Sequence, residues 1–178
     1  MSSDTPVIVT LCTGNAARSV MAAFMLEKWA DTLGRPLEVV SAGTHVVEGQ
    51  PMGMRTRAGL ASIDALGDLK VGSHRSKQLR VEHLARADVV VAMESDHVRF
   101  VRRHHPKSAD RCATLRRLCL DLHHGDDPLG ARLDALRLGE LPLDPTEDVS
   151  DPAGGDVDVY VACARELWLL TEHLVRRL

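Results

Sequence analysis

An apolar, β-branched run, Val7 to Leu11, leads without a break into Cys12-Thr-Gly-Asn-Ala-Ala-Arg-Ser19. A helical pattern follows at once, with Met21, Met25, Trp29 and Leu33 on one face. A buried strand that turns straight into a helix belongs to an α/β sheet, and the turn lies at the carboxyl end of its strand. Gly14 and Asn15 tolerate left-handed backbone. The loop N–H groups of Thr13, Gly14, Asn15, Ala16, Ala17, Arg18 and Ser19 can therefore turn inward as an anion nest. The helix start adds its own N–H groups and positive dipole end. Arg18 can grip two oxygens of a phosphate with its planar fork. Cys12 lies at the base of this positive field, which favours its thiolate, and Ser19 is near enough to donate to the sulfur. A thiolate facing a bound phosphate is a nucleophile for phosphoryl transfer.

The bland alternative for Cys12 is a small apolar residue at a strand end. Cys-x5-Arg alone is a weak signal in a chain with 18 arginines. Context carries it, and Cys112, Cys119 and Cys163 have no arginine at that spacing. Neither GxxxxGK[ST] nor G-x-G-x-x-G occurs, so a nucleotide site of either kind has no support.

Further strands are expected at Leu37 to Ala42, Asp88 to Met93 and Cys112 to Leu115. Helices are expected over Arg55 to Leu66, over Val81 to Ala87, and from a Ser95 cap to Pro106. The last helix carries Val157, Tyr160, Cys163, Leu167, Leu170 and Leu174 as one stripe. Strands alternating with helices imply a parallel sheet covered on both faces. At 178 residues one domain is expected, 1–178, with a poorly patterned stretch at about 120–149. Aromatics are 3% of the chain and the net charge is −3, which argues against nucleic acid as a partner. No apolar run reaches the roughly 20 residues of a membrane span. MSSDTP lacks the features of a signal peptide, and no C-x-x-C pair occurs, so a reducing cytoplasm is expected. Residues 70–118 carry 12 Lys/Arg against 5 Asp/Glu, and residues 121–158 carry 2 against 11. These are two solvated faces, or else a basic rim that attracts an anionic substrate. Arg99, Arg102, Arg103 and Lys107 read as a solvated helix face. His97, His104, His105, His123 and His124 lack carboxylates at ligand spacing, so no metal site is expected.

VTLCTGNAARS at 9–19, SAGT at 41–44, Gly49, Pro51, HRSKQL at 74–79, DVVVAM at 88–93 with His97, DPAGG at 151–155 and Tyr160 occur in that order. This ordered set resembles the low-molecular-weight protein-tyrosine phosphatase family. The resemblance implies a three-layer αβα domain with a four-stranded parallel sheet, and residues 120–149 as an insertion. It implies that Cys12 attacks phosphorus and forms a phosphocysteine. Arg18 and the loop N–H groups would stabilise the transition state, and Asp151 would serve as general acid and then base. Asn15, Ser41 and His74 would hold the loop in shape. No cofactor or metal is implied. The implied partner is a phosphorylated protein or peptide, or a small aryl phosphate.

The sequence departs from the family pattern at several points. Ala17 stands where many members have a second cysteine, so oxidised Cys12 would lack its neighbouring trap. Val20 replaces the usual proline after Arg-Ser. Ala153 and His45-Val-Val-Glu48 replace aromatic walls of a phosphotyrosine cleft. A subgroup that acts on protein phosphoarginine shares DPAGG and the tyrosine, but Ala16 replaces its threonine. Phosphotyrosine is the first substrate expected. The rivals are phosphoarginine, arsenate reduction and phosphate binding without turnover. A reductase of this type would place a relay cysteine near Met93 and Glu94, where none occurs.

Overall fold

Short β-branched runs supply four strands: β1 (Val7–Cys12), β2 (Glu38–Gly43), β3 (Val89–Ala92) and β4 (Cys112–Thr114). The computed structural model describes residues 5–178. The strands form one parallel sheet in the order β2-β1-β3-β4. The helices in chain order are α1 (Arg18–Leu33), α2 (Met54–Ala61), α3 (Val81–Arg86), α4 (Ser95–His104), α5 (Leu115–Asp121), α6 (Leu129–Leu136) and α7 (Val157–Val175).

Alternation along the strands divides the core into two layers. Ile8, Val89 and Val91 pack with Met21, Met25, Leu115, Leu167 and Leu174, beneath α1, α5 and α7. Val9, Leu11, Val90 and Ala92 pack with Leu84, Val98 and Val101, beneath α3 and α4. The chain is therefore a three-layer αβα fold. Trp29 and Trp168 stack at 4.3 Å where α1 meets α7, and both pack against the core.

From β1 the chain passes through α1 to β2 on one side, then returns by α2 and α3 to β3 on the other side. The carboxyl end of β1 is the switch point where ligands bind in open α/β sheets. Cys12 is the last residue of β1.

Several sequence expectations need correction. The helix expected over 55–66 ends at Ala61, and only Asp64–Leu66 resumes as a 3-10 turn. Ser62 Oγ donates to the Gly59 carbonyl at 2.7 Å, a local bond that competes with helix propagation, and Ile63 turns extended to reach the core. Glu94, not Ser95, caps α4; its backbone N–H donates to His97 Nδ1 at 3.0 Å. Arg102 is not on a solvated face, because it turns inward and donates to the Leu138 carbonyl at 2.7 Å. Within 120–149, Leu122, Leu133, Leu138 and Val149 are buried in the same cluster as Ile8.

Candidate active site

The loop after β1 draws its shape from bonds on every side. Asn15 is buried and adopts a left-handed backbone at φ 49°. Gly14 does not, so the asparagine alone takes the left-handed position expected of the pair. The Asn15 amide donates to Ser19 Oγ at 3.0 Å and accepts from the Lys77 N–H at 2.9 Å. His74 Nε2 donates to the Asn15 carbonyl at 3.1 Å. Burial chiefly holds His74 below its ordinary pKa, which favours the neutral ring that this bond uses. Thr56 on α2 donates to the Ala16 carbonyl at 2.9 Å, and Thr10 donates to the Ser19 carbonyl at 2.8 Å. Ser41 makes no side-chain hydrogen bond to the loop among the described residues. It stands opposite Thr10 in β2 and borders the cleft behind His74. The expected Asn15–Ser41–His74 set is therefore replaced by Asn15, Ser19, His74 and the Lys77 backbone.

Gly43 lets β2 press against this loop. The N–H groups of Thr44 and His45 donate to the carbonyls of Cys12 and Thr13, both at 2.9 Å. A Cβ at Gly43 would lie 2.5 Å from the Thr13 carbonyl oxygen and 2.8 Å from the Asn15 nitrogen, closer than backbone atoms allow.

Cys12 is 3% exposed, and its Sγ lies 3.0 Å from Ser19 Oγ. Ser19 Oγ already accepts from Asn15, so its own proton is available to the sulfur. Above the sulfur, the backbone N–H groups of Thr13 to Arg18 find no acceptor among the described residues. Successive N–H groups left without a protein acceptor at a strand-to-helix turn are an arrangement that can receive an anion; here Asn15, Ala17 and Arg18 are buried, while Thr13 and Ala16 are open to solvent. No acidic residue occupies the first turn of α1. Burial pushes the Cys112 and Cys119 thiols up to about 12 and about 11, which makes them inert. Neither suits a relay of the kind arsenate reduction needs.

Arg18, the first residue of α1, is 2% exposed and reaches over the loop. Its Nη1 donates to Glu94 Oε1 and to the Val149 carbonyl, the latter at 2.8 Å. Its Nη2 pairs with Asp151 Oδ2 at 3.0 Å. Asp151 is half-exposed at the mouth, and its Oδ1 accepts from the Ala153 N–H at 3.2 Å. The segment before it is fastened to the sheet edge residue by residue. Glu147 accepts from Thr114 Oγ1 at 2.8 Å, Asp148 accepts from the Ser95 N–H at 2.6 Å, and the Val149 N–H donates to the Met93 carbonyl at 2.8 Å.

His97 is buried and joins both sides of the site. Its Nδ1 accepts from the Glu94 N–H, so the ring proton is on Nε2. That nitrogen donates to Thr13 Oγ1 at 2.9 Å and lies 3.5 Å from Glu94 Oε2. Burial first, and then the Arg18 charge, push its pKa down to about 4.

The structure thus brings Cys12, Arg18, Asp151, Asn15, Ser19 and His74 together and leaves Ser41 aside. Sequence reasoning missed Thr56, Glu94, Glu147, Asp148 and the positioning role of His97. Only Glu94 gave a signal, as a carboxylate directly after the β3 run.

A family model for low molecular weight phosphotyrosine protein phosphatase matches residues 7–131. A protein-arginine-phosphatase of Geobacillus stearothermophilus is 32% identical over 173 residues, covering 96% of this chain and 95% of that protein. A low molecular weight protein-tyrosine-phosphatase of Streptomyces coelicolor is 33% identical over 158 residues, covering 86% and 81%. Among solved structures, the low molecular weight protein tyrosine phosphatase from T. tengcongensis superposes with a TM-score of 0.77. It is 29% identical, over 98% of this chain and 100% of that one.

Proposed function

Because the chain belongs to the low molecular weight phosphotyrosine protein phosphatase family and is a cysteine-based phosphatase, we propose that Cys12 is its nucleophile and protein phosphotyrosine its substrate. One observation carries the assignment of the site. A thiol lies at the base of consecutive N–H donors that have no protein acceptor, with Arg18 and Asp151 above it.

The phosphate takes the loop N–H groups and Arg18 Nη2 as its donors. The Cys12 thiolate, held by the Ser19 proton, attacks phosphorus in line with the leaving oxygen. An S–P bond forms and the P–O bond to the leaving group breaks. Asp151, as its carboxylic acid, gives its proton to that oxygen. Water then attacks the phosphocysteine and loses a proton to Asp151. The P–O bond forms, the S–P bond breaks, and phosphate leaves with the thiolate restored. Donors fixed in advance stabilise the equatorial oxygens throughout. Glu94 and the Val149 carbonyl hold Arg18 by its other nitrogen, so the fork stays aimed when phosphate displaces Asp151 from Nη2.

The same reading takes 1–178 as one phosphatase domain, with 120–149 as an insertion that packs into its core and carries the anchors of Asp151. Protein phosphoarginine is the second substrate reading, favoured by the 32% identity to the Geobacillus protein-arginine-phosphatase. Hydrolysis of a generic aryl phosphate in the presence of a chelator tests the mechanism. Wild-type protein turns over, Cys12→Ser does not, and Asp151→Asn is slow. No turnover by folded, reduced wild type would overturn the reading. Paired phosphotyrosine and phosphoarginine peptides then decide the substrate by their kcat/KM.

A further inference from the structure

A groove of about 460 Å³ opens beside the loop and runs along one face of α4. Thr13 and Glu94 form its inner end, next to Cys12 and Arg18. Asp96, Arg99, Phe100, Arg103 and His104 line its length. These positions step by three and four, so they share one face of the helix. Residues 96 to 104 span about 12 Å of helix, the reach of roughly three or four residues of extended chain.

The groove has an aromatic wall. The Phe100 ring meets His104 at 4.6 Å and His45 edge-on at 5.5 Å. Ala153 and Val47, where aromatic walls were expected, are both exposed and offer no ring. The lining carries Glu94 and Asp96 against Arg99 and Arg103, so its charges balance. Asp96 pairs with Arg99 and Glu94 with Arg18, which leaves the exposed Arg103 as the cation of the lining with no carboxylate partner among the described residues.

We propose that this groove is a substrate subsite, which takes the polypeptide flanking the phosphorylated residue and selects carboxylates two to four positions away. The inference rests on a phosphoprotein substrate, as proposed above. The phosphate enters the loop, and the adjoining backbone leaves across Thr13. An acidic side chain then reaches Arg103, while Phe100 covers the apolar part of the chain between them. Coulomb attraction at such a rim acts on encounter and on choice of partner, and it weakens with salt.

The test uses three phosphotyrosine peptides of equal length. One carries Glu on the amino side, one carries Glu on the carboxyl side, and one carries Lys on both. The expected result is a kcat/KM about tenfold higher for one acidic peptide than for the lysine peptide, narrowing at high salt. Arg103→Glu abolishes or inverts that preference, Phe100→Ala weakens every peptide, and both variants hydrolyse a small aryl phosphate as wild type does. Equal kcat/KM for all three peptides, or a preference untouched by Arg103→Glu, would overturn the proposal. Anisotropy of the labelled peptides on Cys12→Ser separates the two readings. An acidic preference in Kd without wild-type turnover supports the groove and overturns the phosphatase assignment. Turnover with no preference in Kd does the reverse.

Discussion

The two halves of the site are built differently. The phosphate loop is one continuous segment, Cys12 to Ser19, braced within itself through Ser19 and Asn15, held by the adjoining end of β2 and clamped from outside by Thr56, His74 and the Lys77 N–H. The strap that carries Asp151 has a single short turn of its own, where the Glu147 and Asp148 N–H groups donate to the Asp144 and Pro145 carbonyls, and is fixed to the sheet through distant partners: Thr114 for Glu147, Ser95 for Asp148, and Met93 and Arg18 for Val149. A cradle for charge that develops at phosphorus needs fixed donors, and a tight local loop supplies them. A general acid must meet a leaving group whose position varies with substrate. A half-exposed carboxylate on a strap, tied down just before it, suits that role.

This comparison makes separable predictions. The largest effect is expected from Asp151→Asn on phosphates with poor leaving groups, where loss of the acid lowers kcat/KM, which reports expulsion of the leaving group alone, by about 10²–10⁴. A nitrophenyl ester, whose leaving group needs less protonation, loses far less. Equal losses on both esters would show that Asp151 supports the loop rather than the leaving group. Gly43→Ala attacks the other half. Its Cβ would clash with the Thr13 carbonyl and the Asn15 nitrogen. A displaced loop should cost roughly a hundredfold on every ester, together with weaker binding of inorganic phosphate. If the variant retains wild-type phosphate affinity, the close approach of β2 is not what shapes the cradle.

A smaller effect is expected from Asp148→Ala, which removes the 2.6 Å bond to the Ser95 N–H. A charge-assisted bond of this kind contributes about 1.5–3 kcal/mol. The expected outcome is a loss of about tenfold, confined to poor leaving groups, with phosphate affinity unchanged. A uniform loss would mean that strap and cradle move together.

The smallest effect is on stability. His97 is neutral in the fold, with its pKa lowered from 6.5 to about 4 by burial and Arg18, against the opposing pull of Asp151 and Asp96. The unfolded chain binds this proton at higher pH than the folded one. Its contribution is therefore complete above about 6.5 and is lost as pH falls toward 4, by up to roughly 3 kcal/mol. Urea unfolding between pH 7 and 4.5 should show a steeper loss for wild type than for His97→Gln. Parallel curves would mean that His97 is not held neutral.

The same contrast explains what the sequence could reveal. The four strands and the loop were legible because their signals are local: apolar runs, a glycine and asparagine at a turn, an arginine entering a helix. Asp151 was legible through the family pattern of DPAGG. Its anchors were not, because Glu147 and Asp148 lie in an acidic, weakly patterned stretch and their partners are distant in sequence. Ser41 was expected at the loop, but Ser19 and the Lys77 N–H satisfy the Asn15 side chain instead. Thr56 and Glu94 act through the loop and Arg18, and of the two only Glu94, the carboxylate directly after the β3 run, left a local trace in the sequence.

The most direct test of the central claim is to trap the covalent intermediate. Asp151→Ala is mixed with a nitrophenyl phosphate, denatured rapidly in detergent at alkaline pH, where an S–P bond survives, and analysed by peptide mass spectrometry. The first step needs little acid with this leaving group, whereas the second needs the missing base, so phosphoenzyme should accumulate on the peptide containing Cys12. Nitrophenol release without any phosphoryl group on that peptide, or with the group on another residue, would contradict the account.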